Sequence, residues 1–201
     1  MSKQVVRILG IGALLLAAAA AALVLSDKDP AYRLAAWASF GRHGSYDDTI
    51  ATVAARHGVD PLLVKAVIWQ ESRFHSDKLG SHGERGLMQV TEPAAADWVK
   101  ATGVETFVPQ DLLDPKTNIE VGTWYLGRAL RHWSGQDDPL PFALGEYNAG
   151  RSRVKRWSGG ELMTAEALDE AMDIPSTRAY IAAVRARYDY YRDRGDNVDV
   201  P

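Results

Sequence analysis

"VIWQESRFHSDKLGSHGERGLMQV", Val67 to Val90, opens as an apolar helix, meets a glutamate, and breaks into a glycine-rich loop that ends on an apolar return. Just upstream, Asp60 reads as a helix cap and Pro61 as the first helical residue, where a missing N–H costs nothing. The helix that follows, "PLLVKAVIWQES", sets Val64, Val67, Ile68 and Glu71 at three- and four-residue spacings. Glu71 therefore shares a face with residues that belong in a core. A carboxyl group placed there loses hydration in its charged form, so its pKa rises and it holds a proton near neutral pH, which suits a general acid. A lone glutamate late in a helix is more often solvated, so the weight of this reading falls on its neighbours.

Those neighbours supply a site. Gly83 and Gly86 let the backbone fold tightly beside the helix end, and "GLMQV" returns an apolar wall carrying one amide, Gln89. Far along the chain, "FALGEYNAGRSRVKRW" adds a phenol and an amide, Tyr147 and Asn148, with Gly150 closing a helix. Each piece also has an ordinary reading: Leu87 and Met88 as core filler, Asn148 to Gly150 as a helix end, Tyr147 as packing. Trp69, Trp98, Trp124, Trp133 and Trp157 carry flat faces that suit a sugar ring, although most read as core. The run "RSRVKR" before Trp157 reads as a solvated surface.

Outward from this segment the pattern is helical almost throughout, with no alternating run long enough for a strand, so the fold is expected to be all-α. Asp47 is expected to cap "DTIATVAARHG", which ends at Gly58, and further helices are expected at 93–101, 117–133, 139–148, 164–171 and 176–193. Ser176 or Thr177 is expected to cap the last. One domain over 46–193 follows a linker at 26–45, which holds the small apolar patch "AYRLAAWASF", and residues 194–201 are expected to form a disordered tail.

Composition removes whole classes of function. The 23 basic and 26 acidic side chains leave a net charge of -3, with no basic bank to track phosphates, so nucleic acid is not an expected partner. The chain has no cysteine, which excludes disulfides, thiolate zinc sites and a cysteine nucleophile. The five histidines form no HExxH pair, and no P-loop, GxGxxG or GxSxG pattern occurs, so neither a metal nor a nucleotide cofactor is expected. At the N-terminus, Lys3 and Arg7 precede an uncharged run from Ile8 to Leu25. Residues 1–25 thus read as a signal anchor or a cleaved signal peptide. A run of that length spans roughly 27 Å as a helix, close to a hydrocarbon core, which favours the anchor with the remainder of the chain facing outward.

Taken in order, Glu71-Ser72, "GLMQ" (86–89), "NIEVGTWYL" (118–126), "EYNAG" (146–150) and "IPSTRAYIAAV" (174–184) resemble the soluble-type (SLT) lytic transglycosylase domain, over roughly Tyr46 to Tyr191. The resemblance implies a lysozyme-like helical fold that cleaves the β-1,4 bond between N-acetylmuramic acid and N-acetylglucosamine without a cofactor. By resemblance, Glu71 is the acid and then the base, Met88 and Gln89 line the saccharide groove, Tyr147 orients Glu71, Asn148 holds the groove or contacts sugar, and Ser72 ties the helix end to the loop. The implied partners are peptidoglycan strands, the cytoplasmic membrane through the N-terminal helix, and cell-wall or secretion complexes; the implied location is the periplasmic side of a bacterial envelope.

The chain also departs from the pattern of the resemblance. Gly80 stands where a serine is expected near the substrate N-acetyl group, with Ser81 as a substitute, and Glu84 and Arg85 replace small or apolar residues. Goose-type lysozymes share the "GLMQV" block but hydrolyse the same bond with extra acidic residues. Where one of these is expected the chain has Thr91, with Glu84, Glu92 and Glu146 as neighbours. A wall-binding module without turnover is the third reading.

Overall fold

A computed structural model describes residues 12–14, 16–22, 27–38, 41–196 and 198. The chain divides into two compact units, Met1–Ser45 and Tyr46–Pro201. The first holds the whole of the expected membrane or signal segment, 1–25, and much of that segment lies outside the described residues. Residues 12–14 and 16–22 are helical, and no helix among the described residues is long and apolar enough to cross a membrane. Within the expected linker runs a short helix, α1 (Pro30–Ala38), whose first turn is held by Asp29 Oδ1 accepting from the Tyr32 N–H at 2.9 Å.

The second unit is all-helical among its described residues. Its elements are α2 (Asp47–His57), α3 (Pro61–Ser72), α4 (Glu92–Thr102), a 3-10 turn (Pro109–Leu113), α5 (Pro115–His132), α6 (Pro139–Ala149), α7 (Arg151–Ser158), α8 (Ala165–Ala171) and α9 (Pro175–Asp193). Four of the starts are built alike: a residue with a capping oxygen, then a proline in the first turn. Asp60, Thr91, Asp114 and Asp138 accept from Leu62, Ala94, Thr117 and Leu140 N–H groups, respectively. α3 and α6 are buried nearly all round, as helices at the centre of a core must be. α9 packs along both, and α5 packs on α6 and α2. Glu71 and Tyr147 thus sit near the C-terminal ends of the two central helices.

Three local expectations are corrected. Asp47 does not cap α2; its carboxylate instead reaches Lys65 Nζ of α3 at 2.8 Å, a tie between neighbouring helices that leaves Lys65 buried. Neither Ser176 nor Thr177 caps α9, which starts at Pro175, and the Thr177 hydroxyl is drawn instead to Asn148. The charged run 151–158 is a helix, because Val154 and Trp157, three apart, both turn inward while its arginines stay out. Trp157 donates to Asp173 Oδ1 at 2.7 Å, and Trp133 to Glu146 Oε2 at 2.9 Å, so both rings belong to the core. Of the expected tail, Arg194 to Asp196 form a turn in which the Asp196 N–H donates to the Tyr191 carbonyl at 3.1 Å; residues 197 and 199–201 lie outside the described residues.

Candidate active site

α3 ends at Ser72, and the two residues after it, Arg73 and Phe74, adopt left-handed backbone at φ 52 and 62. Such backbone costs a residue with a side chain about 1–2 kcal/mol. Here it is held by packing: Phe74 is buried, and the Arg73 guanidinium stacks 4.4 Å over the Trp69 ring while donating to the Trp69 carbonyl. The sharp exit brings residues 78–90 back across the helix end. Lys78 Nζ donates to the Glu71 carbonyl, and the Gly86 N–H donates to the Lys78 carbonyl at 2.9 Å.

The inner half of that loop is fixed by Asn118 of α5. Its Oδ1 accepts from the Met88 N–H at 2.7 Å, and its Nδ2 donates to the carbonyls of Arg85 and Leu112, both at 2.7 Å. Asn118 is fully buried, so all three bonds are shielded from water. Gly86 has φ 76, and a Cβ there would run into the Asn118 amide and the Leu112 carbonyl, so glycine is required on two counts. Gln89 at φ 46 completes the turn, its Nε2 donating to the carbonyls of Gly86 at 2.9 Å and Lys78 at 3.1 Å.

Glu71 projects from the helix end into a cleft of about 420 Å³ lined also by Lys78, Gly80, Ser81, Glu84, Gln89, Tyr147 and Asn148. Its Oε1 accepts a 2.8 Å hydrogen bond from the Tyr180 hydroxyl of α9. Burial raises the Glu71 pKa from its ordinary 4.5 to about 7, against the opposing pulls of the Tyr180 hydroxyl and the Lys78 charge and with a smaller push from Glu84. The Tyr180 and Tyr147 phenols are themselves held protonated by burial and by the adjacent Glu71 charge. The site is thus one carboxyl group that exchanges a proton near neutrality, held by a neutral donor. Among the described residues no group of three or more His, Asp or Glu side chains could hold a metal.

The other expected site residues divide. Gln89, Asn148, Tyr147 and Ser81 line the cleft with Glu71, Ser81 on its exposed rim with its hydroxyl 3.0 Å from His82 Nδ1. Tyr147 sits beside Glu71, expected to orient it, but its hydroxyl donates to the Met88 carbonyl at 2.8 Å, and the hydrogen bond to the Glu71 carboxyl comes from Tyr180. Asn148 Oδ1 accepts from Thr177 Oγ1 at 2.8 Å, tying α6 to α9. Met88 does not line the groove, because its side chain is fully buried with Sδ 3.7 Å from Thr123 Oγ1 and its bulk over Gly122. Ser72 does not line the cleft; it is buried, its hydroxyl donates to the Ile68 carbonyl of its own helix at 3.2 Å, and only its backbone carbonyl meets the loop, accepting from the His75 N–H at 3.1 Å. Tyr180 and Asn118 are the residues that sequence reasoning missed. Both fall inside quoted blocks, and their place in those blocks was the available signal.

Two further hollows lie nearby in the unit. One, of about 200 Å³, continues from the cleft past Gln89 and Tyr147 to Tyr125 and Glu146. A larger one, about 690 Å³, lies between α2, α4 and α5, where Glu120 is engaged by Arg56 and by His57 Nε2 at 2.7 Å. The cleft at Glu71 is set apart by a carboxyl group that is desolvated, raised in pKa and open to it.

A helical domain that offers one desolvated glutamate at the end of a central helix, under a loop pinned from below, is the layout of a lysozyme-like fold. Residues 48–168 match the family described as transglycosylase SLT domain, and the chain belongs to that family. It is 30% identical over 151 residues to the soluble lytic murein transglycosylase of Escherichia coli (strain K12), covering 74% of this chain and 23% of that one. Against a membrane-bound lytic murein transglycosylase F of Desulfosudis oleivorans it is 36% identical over 109 residues, 53% of this chain and 22% of the other. The 70 kDa soluble lytic transglycosylase of Escherichia coli, a crystal structure, superposes with a TM-score of 0.69 at 30% identity, covering 76% of this chain and 25% of that chain. The chain spans about a quarter of the length of these relatives.

Proposed function

We propose that this chain is a peptidoglycan lytic transglycosylase of the bacterial envelope, cleaving the β-1,4 bond between N-acetylmuramic acid and N-acetylglucosamine and leaving a 1,6-anhydromuramoyl end. One observation carries the reading: the Glu71 carboxyl, raised to about 7 and held at 2.8 Å by Tyr180, faces an open cleft. A group of that pKa carries its proton in half the molecules at neutral pH and can return it after one turn of chemistry. In the proposed sequence Glu71 gives its proton to the glycosidic oxygen as the bond to C1 breaks. The substrate's own N-acetyl oxygen stabilises the cation. The Glu71 carboxylate then takes the proton of the C6 hydroxyl as O6 bonds to C1, which regenerates the acid without consuming water.

The acidic neighbours support a single-carboxylate route over hydrolysis. Glu146 is buried and bound by Trp133 Nε1 and by Arg151 Nε at 3.0 Å. Glu92 pairs with Arg85 at 2.8 Å, and Thr91 spends its hydroxyl oxygen on the α4 cap. Glu84 is the one other carboxylate in the cleft, and a hydrolase would need it to direct water. Relatives add support: the lytic transglycosylase Slt of Pseudomonas aeruginosa was solved as an inactive mutant with glutamine for one glutamate, and the Escherichia coli enzyme in complex with bulgecin A. A binding-only module has no use for a protonated carboxyl group in its groove. The membrane-bound relatives fit an anchor in residues 1–25, with the domain on the periplasmic side and wall or secretion complexes as neighbours.

Digestion of purified peptidoglycan with mass spectrometry of the products tests this directly. Anhydro-muropeptides, each one water lighter than the hydrolysis product, are expected. Reducing ends would replace the reading with a hydrolase, and a folded protein that releases nothing would replace it with a binding module.

A further inference from the structure

Leu79 to Glu84 form the outer rim of the cleft, and position 80 there has no side chain. Its backbone is not left-handed, so the turn itself does not demand a glycine. The space is taken by Glu84 instead: a Cβ at Gly80 would overlap Glu84 Oε2 and lie 2.9 Å from Gln89 Oε1, so a side chain at 80 and the present position of the Glu84 carboxylate exclude each other. The carboxylate of residue 84 thus fills the volume that a side chain at 80 would take. It is held there, with Oε2 accepting from the His82 N–H at 2.9 Å, Oε1 3.6 Å from His82 Nδ1, and the Gly80 N–H donating to the Glu84 carbonyl at 2.8 Å. Burial pushes the Glu84 carboxyl up, but the backbone N–H groups of Glu84 and His82 and the charges of His82 and Lys78 outweigh it and keep it below its ordinary range. It is therefore an ionised acceptor. Gln89 turns both donor bonds inward, which leaves its Oε1 facing the same spot. Two acceptors side by side call for a donor on the ligand.

We propose that Glu84 is a specificity-determining residue of this site: its carboxylate stands in for the side chain of residue 80 and accepts a hydrogen bond from the amide N–H of an N-acetyl sugar bound against Glu71. This rests on the transglycosylase reading. It differs in kind from a serine at that place, which both donates and accepts, because an ionised carboxylate only accepts. Its charge has a second effect. Of the groups around the Glu71 carboxyl, Glu84 opposes ionisation, Tyr180 and Lys78 favour it, and Tyr147 stands by as a neutral phenol.

Two measurements test the assignment: binding of tetra-N-acetylchitotetraose by calorimetry in the Glu71→Gln protein, and the pH profile of peptidoglycan turnover in the otherwise native chain. Adding Glu84→Ala should weaken binding about tenfold or more, the size of one lost hydrogen bond to a charged group. Glu84→Gln keeps an acceptor oxygen without the charge, so binding should stay within about threefold. Its alkaline limb should nevertheless move to lower pH. Gly80→Ser alone should bind poorly, and Gly80→Ser with Glu84→Ala should recover, because the second change vacates the space the first one needs. Unchanged binding and pH limb in Glu84→Ala, or a double variant no better than Gly80→Ser, would overturn the proposal. So would wild-type reducing-end products that vanish in Glu84→Gln, which would make Glu84 a base. Should Glu84→Ala melt well below its parent, the isosteric Glu84→Gln decides through its pH limb. A wild type that releases no product fails the transglycosylase reading, while the calorimetric arm still tests Glu84.

Discussion

The loop over Glu71 has two halves that obey different rules. From Arg85 to Val90 it is mostly buried, anchored by the three hydrogen bonds of Asn118, and closed to any side chain at Gly86. From Leu79 to Glu84 it is largely exposed, and its main ties run within the rim itself, between Gly80, His82 and Glu84. The inner half is fixed to α5 and leaves no room for a side chain at Gly86. The outer half lines the mouth of the cleft and can exchange one contact for another without disturbing the frame. The departures at Gly80 and Glu84 fall on the outer half, and the one at Arg85 falls at the junction, where Asn118 holds only the backbone carbonyl and the side chain turns out to Glu92, whereas "GLMQ" keeps the pattern of the resemblance.

The widest test of that contrast is Glu71→Gln. Loss of the transferable proton should cut peptidoglycan turnover by about a thousandfold or more while oligosaccharide binding persists. The same change should stabilise the fold. A carboxyl group whose folded pKa lies above its unfolded value contributes most below about 4.5, and that contribution is lost as pH rises through about 7. At pH 8, Glu71→Gln should therefore exceed the wild type by on the order of 2 kcal/mol in urea denaturation, with the gap closing towards pH 4. Turnover should fall over the same interval, since only the protonated form can act.

Asn118→Ala probes the inner half. It strands one N–H and two carbonyls in the core, so about 3 kcal/mol of stability should be lost, read from the same denaturation curves. Tyr180→Phe should leave the fold near native and remove one hydrogen bond to the Glu71 carboxylate, a cost of up to about tenfold in turnover. Because that bond favours the charged form, its removal should move the alkaline limb to higher pH, opposite to Glu84→Gln. Ser81→Ala, at the exposed rim, should change turnover less than about twofold. A large effect there, or a small one at Asn118, would break the division of labour.

Helix starts were legible because proline and capping residues act locally, and Glu71 was legible because a helical period puts it on the buried face. The pairing of one phenol rather than another with that carboxyl was not. Tyr147 and Tyr180 stand 76 and 109 residues away from Glu71 along the chain, and only the packing of α6 and α9 decides which hydroxyl reaches it. The sequence likewise could not tell that Met88 faces inward, since on a left-handed turn the period that sorts a helix does not apply. Ser72 was misread because a hydroxyl at a helix end has two partners within reach, the loop ahead and the carbonyl four residues behind, and the second won. The helix at 151–158 was hidden by its arginines, whose charge masked a two-residue apolar contact.

The paired left-handed residues Arg73 and Phe74 bear on how this protein can be engineered. Glycine at either would relax the backbone there by about 1–2 kcal/mol. Each exchange would also remove a plug: the Phe74 ring from the interior, or the Arg73 cation from the Trp69 indole. Hardening this corner therefore trades conformational ease against lost ballast, and gains in robustness are better sought at the exposed positions of α8.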